Sequence, residues 1–169
     1  MFVIFRPLRL IVRTVTDAAT PRQLAMGFSF GMLIGLVPKG NLTAIALSML
    51  LCASRVNLGA AALAIFAFSW VGAITDSLTH DIGMYLLSHE TLHSTWTSLY
   101  NTPMVQWTGF NNTVVLGSLV LGIVLAWPVY RATLPGFERF SPKIRERVRK
   151  YRIGRILFGA EWADRLAGA

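Results

Sequence analysis

The sequence predicts an all-α polytopic integral membrane protein, built from a glycine-packed helical hairpin, two long spans and amphipathic interfacial terminal helices. Three observations predict it. Of 169 residues, 54% are hydrophobic, and the mean hydropathy is +0.53, a balance typical of membrane proteins rather than soluble domains. The apolar residues gather into runs separated by polar breaks at 38–41, 54–57 and 88–112. Finally, 16 Lys and Arg stand against 8 Asp and Glu, a formal charge of +8, yet no Lys or Arg occurs between Val56 and Tyr130. In a soluble protein such an excess would raise the question of nucleic acid. Here the basic residues are confined to the two ends, which reads as topology: Arg6, Arg9, Arg13 and Arg22 hold the N-terminus, and the Arg131 to Arg165 series the C-terminus, on the cytoplasmic side. Membrane lipids are therefore the expected surroundings, and nucleic acid is not an expected partner.

Residues 1–20 place Arg6, Arg9 and Arg13 at helical spacing among Val3, Ile4, Leu8, Ile11 and Val15. They read as an interfacial amphipathic helix, apolar side in the headgroup boundary and arginines toward anionic lipid. Charges interrupt the apolar residues and no cleavage site is evident, so this segment is expected to be retained.

The membrane domain is expected over 21–130. Thr20 and Pro21 read as an N-cap and first turn. From there PRQLAMGFSFGMLIGLVPKGN carries Gly27, Gly31 and Gly35 every fourth residue, a spacing that sets all three on one helix face and lets another backbone approach. Pro38, Lys39, Gly40 and Asn41 break the run, Pro by removing a donor and Gly by freeing the backbone. The arms, 24–37 and 42–53, are short: the first is ~21 Å long against a hydrocarbon core of ~30 Å. On length the hairpin 21–55 is expected to be re-entrant, its tip covered by protein or water; a hairpin that crosses with tilt and local thinning is the alternative.

The run 58–87 reads as the clearest span. Its polar band holds Asp76, His80 and Asp81, with Asp76 and His80 one turn apart, as candidates for a proton or polar site; anchoring at the outer interface is the competing reading. The loop 88–112, rich in Trp and Tyr and free of basic residues, belongs outside the cytoplasm, with a short helix expected before Pro103. A second span is expected over 113–130, and a basic, amphipathic cytoplasmic tail over 131–169.

Few residues invite chemistry. The single Cys52 excludes an intrachain disulfide and suggests no Cys-based metal site. His89, Glu90 and His93 match the H-E-x-x-H spacing by which zinc peptidases hold a metal from one helix face, but no third ligand follows on the same side. The sequence thus supports no catalytic residue, no metal, no cofactor and no enzymatic activity. Pro38, Lys39, Gly40 and Asn41 are candidate contacts to a headgroup or substrate, since a cationic turn beside a helix break can receive an anion.

The residues P-R-x-L-A-x-G-F-x-x-G-x-x-x-G-x-x-P-K-G-N-L, followed by R-V-N at 55–57, resemble DUF2062, small bacterial inner-membrane proteins designated as a domain of unknown function. Asp76, His80, Ile82-Gly83 and Leu86-Leu87 resemble its subfamily from outer-membrane-bearing bacteria. The broader family tends to carry an Asn-Pro pair in the long helix, where this chain has Ser69-Trp70-Val71-Gly72. The resemblance implies a location in the bacterial inner membrane. It also implies association with a large periplasmic lipid-bridging protein of the AsmA-like kind, and so a non-enzymatic accessory role in phospholipid or envelope transport. The alternative is a lipid translocase or small transporter using Lys39/Asn41 for an anionic headgroup and Asp76/His80 for protons. A homo-oligomer is compatible with either.

Overall fold

The computed structural model describes residues 20–150, with side chains through 140; the expected interfacial helix at 1–20 and the tail beyond 150 lie outside the described residues. Those residues form five α-helices and two 3-10 turns, with no strand among them: α1 Pro21–Leu36, α2 Leu42–Ala53, α3 Leu58–Ser88, a turn Glu90–Leu92, α4 His93–Tyr100, a turn Val105–Thr108, and α5 Thr113–Lys150.

Polar side chains start each of the first three helices. The Thr20 hydroxyl accepts from the Gln23 amide at 3.3 Å while the Gln23 side chain accepts from the Thr20 amide at 2.9 Å, a reciprocal capping box with Pro21 at the first helical position. Asn41 caps α2 by accepting from the Ala44 amide at 2.8 Å, and Asn57 caps α3 by accepting from the Ala60 amide at 2.9 Å.

The bundle is organised around α1, which packs along its length on both α3 and α5. Gly27, Gly31 and Gly35 all face α3. A Cβ on Gly27 would strike the Asn57 carbonyl, and one on Gly31 would lie 2.7 Å from the Ala61 Cα. One on Gly35 would lie 2.7 Å from the Phe68 Cβ. Because successive glycines meet successive turns of α3, the two helices run parallel. The connection that permits this is α2, which returns the chain so that the Asn57 amide can donate to the Gln23 carbonyl at 3.2 Å. α5 runs the other way: Gly122 packs on Leu33, and the Ser29 hydroxyl donates to the Ala126 carbonyl. α3 and α5 close the triangle where Gly117 meets the Thr79 carbonyl and Gly83 meets Thr113, backbones approaching as small residues allow. Phe28 joins the three helices edge-on, its ring 5.9 Å from Phe68 and 6.1 Å from Phe137.

One boundary differs from expectation. The helix beginning at Thr113 does not stop at Tyr130 but continues through Pro128 and Pro135 to Lys150, so the start of the basic tail is an extension of the span. Each Pro forfeits one backbone donor, and the uninterrupted turns on either side carry the helix past it.

Candidate functional site at the hairpin tip

The tip is built by the end of α1. Val37 turns extended, Pro38 forbids further helix, and Gly40 adopts φ +92 with nothing within 4 Å of where a Cβ would stand. Gly40 is thus required for its left-handed backbone and not for space. Lys39 then folds back. Its ammonium donates to the carbonyls of Ile34 and Gly35, each at 2.9 Å, and of Val37 at 2.7 Å. These oxygens belong to the last turn of α1, where intrahelical donors run out and the dipole is negative, so a tethered cation satisfies both deficits. Asn41 braces the turn by donating from its amide nitrogen to the Pro38 carbonyl at 2.7 Å. An ammonium has three protons. All three are engaged here, leaving Lys39 no donor for an anion.

Beside the tip lies a cleft of about 200 Å³, walled by Gly35 to Lys39 on one side and by Ser69, Gly72, Ala73 and Asp76 on the other. The four α3 residues are spaced i, i+3, i+4, i+7 and so form one helix face. Asp76 is exposed, and its carboxylate has no hydrogen-bond or ion-pair partner among the described residues. Its expected neighbour has another role: His80 bonds through Nδ1 to the Thr113 hydroxyl at 2.6 Å, across the Gly83 crossing. Asp81 is exposed and likewise unpartnered. The structure therefore brings Asp76 to Lys39's cleft and gives His80 to α5. A second, apolar groove of about 430 Å³ starts at Lys39 and Gly40 and descends α2 along Ala44, Ile45, Ser48, Met49 and Cys52.

The tip also meets the segment linking α3 to α5. The Thr43 hydroxyl donates to the Thr108 carbonyl at 2.8 Å, and a Cβ on Gly109 would lie 3.4 Å from the Asn41 Cβ. Within that cap, the Trp96 indole donates to the Leu86 carbonyl at 2.9 Å and stacks on Phe110. Beneath it is a hollow of about 280 Å³ lined by His93, Trp96, Tyr100 and Phe110. The H-E-x-x-H residues do not share a helix face. His89 ends α3 in extended backbone, Glu90 sits in the 3-10 turn, and His93 starts α4. Among the described residues no three His, Cys, Asp or Glu side chains gather in metal-binding range.

Sequence reasoning did not single out Thr43 or Thr108, and it named Ser69 and Gly72 only as standing where the broader family tends to carry an Asn-Pro pair. The first two are ordinary helix-start and loop polar residues until the fold joins them, whereas Ser69 and Gly72 fall two turns and one turn before Asp76 and share its face.

Among the described residues the regular structure is all helical, with two helices long and apolar enough to cross a membrane, 58–88 and 113–140. The chain matches the DUF2062 family, uncharacterized proteins conserved in bacteria, over residues 7–145. It belongs to that family. No curated protein and no solved structure matches it.

Proposed function

We propose that the chain is a non-enzymatic accessory protein of the bacterial inner membrane, with both termini cytoplasmic. In this reading it works with a periplasmic lipid-bridging partner of the AsmA-like kind in phospholipid or envelope transport. The observation that carries the membrane part is the outward display of large apolar side chains: Phe66, Ile74 and Trp127 are 70, 83 and 70% exposed. Only 22% and 28% of the most apolar stretches of α3 and α5 are buried within the bundle, a poor fit to a water-soluble core and a good one to lipid contact. Arg22, Arg55 and Arg131 fall at the end away from the cap, which supports that end as cytoplasmic.

The Thr43–Thr108 bond favours a hairpin that crosses over one that is re-entrant. It joins the tip to the cap that precedes α5, so tip and span begin at one level. The ~24 Å of α1 is then reconciled with a ~30 Å core by tilt and local thinning. The glycine face, occupied by α3, is closed to a partner. The surface left for one is the cap, where Met104 and Trp107 are 76 and 77% exposed and Met104 holds φ 68, a costly backbone for a non-glycine residue.

A photo-crosslinking residue at position 107, introduced in native membranes, tests this. The expected product is a one-to-one adduct with a single extracytoplasmic protein, abolished by Met104→Asp. Adducts with lipid alone, from a protein that purifies without companions, would overturn the reading. The accessory reading is favoured over a translocase by the Lys39 ammonium, which donates to three α1 carbonyls.

A further inference from the structure

Resting on the lipid-traffic reading, we infer that the tip cleft and the α2 groove together hold one phospholipid, and that its headgroup carries a primary ammonium. The argument counts donors and acceptors. Only two side chains lining the cleft can donate, and both are committed. Lys39 gives its three protons to Ile34, Gly35 and Val37, and Ser69 gives its hydroxyl proton to the Ile65 carbonyl at 2.6 Å. What the cleft still offers among its side chains are acceptors: the Asp76 carboxylate, unpartnered among the described residues, and the Ser69 oxygen's lone pairs. Such a surface attracts a cation with several N–H donors. The phosphate is common to all phospholipids, so the terminal group discriminates: a glycerol headgroup brings no cation to the Asp76 carboxylate. A quaternary ammonium brings charge without donors and leaves these acceptors unmatched.

The second half is apolar. The α2 groove opens at Lys39, where the cleft also ends, and its floor is kept low by Ala44, Ser48 and Cys52, spaced every fourth residue between Ile45 and Met49. It runs along a helix of 12 residues, ~18 Å, long enough to seat much of an acyl chain. An ammonium-selective polar end continuous with an apolar trough matches a phospholipid, whereas a soluble amine would use only the first. The Lys39 ammonium, drawn into α1, marks the boundary between the two.

The test uses the full chain in nanodiscs of equal parts phosphatidylethanolamine, phosphatidylcholine and phosphatidylglycerol, followed by detergent exchange and mass spectrometry of retained lipid. The ethanolamine lipid is expected to be enriched roughly tenfold over each of the others, about what one charge-assisted hydrogen bond contributes. Asp76→Asn should remove most of that preference and Asp76→Glu should keep it, which separates loss of the charge from loss of the fold. Ser48→Trp, which fills the trough, should lower retention of the ethanolamine lipid. Equal retention of all three lipids, enrichment of phosphatidylglycerol, or an Asp76→Asn variant with unchanged preference would overturn the inference. So would displacement of the lipid by millimolar free ethanolamine, which would assign the cleft to soluble amines. The cap crosslink is read on the same variants: its persistence in Asp76→Asn keeps the partner reading independent of the lipid result.

Discussion

α1 and α2 are neighbours of similar composition, both short, both apolar and both carrying small residues every fourth position, yet they end in opposite environments. Ten of the 16 residues of α1 are buried; in α2 only Ala44 and Leu51 are, of 12. Hydrophobicity does not separate them, since a helix in lipid gains nothing by hiding apolar side chains from other apolar matter. What separates them is how closely another backbone can approach. Three glycines let α3 lie against α1 nearly backbone to backbone, with dispersion contacts and close carbonyls replacing the missing side chains. α2 has Ala, Ser and Cys at the corresponding spacing, each with a Cβ, and its outer face stays open as a groove.

The largest effect should come from breaking the close approach. Gly31→Leu places a branched side chain inside the Ala61 backbone, and thermal unfolding in detergent should show a loss of about 3 kcal/mol or more, with aggregation on size exclusion. If Gly31→Leu stays monodisperse with an unchanged unfolding temperature, the α1–α3 seam is not what holds the bundle. A smaller effect is expected where the two helices meet. Lys39→Met removes the cation from the last turn of α1 and strands three carbonyls, an expected loss of roughly 1–2 kcal/mol in the same assay. Asn41→Ala, which unties the cap of α2 and the brace to Pro38, should lose about 1 kcal/mol. The smallest effect belongs to the open face of α2: Ser48→Leu should leave stability within ~0.5 kcal/mol. A loss there matching that of Gly31→Leu would mean that α2 is packed as tightly as α1 and would erase the contrast.

Much of this architecture is legible in the chain. Thr20 with Pro21 announces the start of α1, and Pro38 through Asn41 announce its end, because capping and helix breaking act within a few residues. The glycine row is equally plain as a packing face. Its partner is not, since nothing in a period of four says which helix fills it or in which direction. His80 and Asp76, one turn apart, read naturally as a pair, but a spacing cannot show that His80 bonds to Thr113 in the fold. The continuation of α5 past Tyr130 escaped the sequence reading because that reading followed hydropathy, which falls there, whereas helical hydrogen bonding continues regardless of which solvent surrounds the side chains.

Lys39 shows the division most clearly. By itself the sequence determined that a cation would stand at a helix break between two apolar arms, because proline and glycine act locally. Only the tertiary structure decided what that cation and its surroundings do: its protons were turned inward to the carbonyls of α1, and the parallel register of α3 brought Asp76 beside it as the charge left over. The reason is physical. Caps and breaks are determined over a few bonds, whereas the partner of a charge depends on which distant backbone can come close enough to present one.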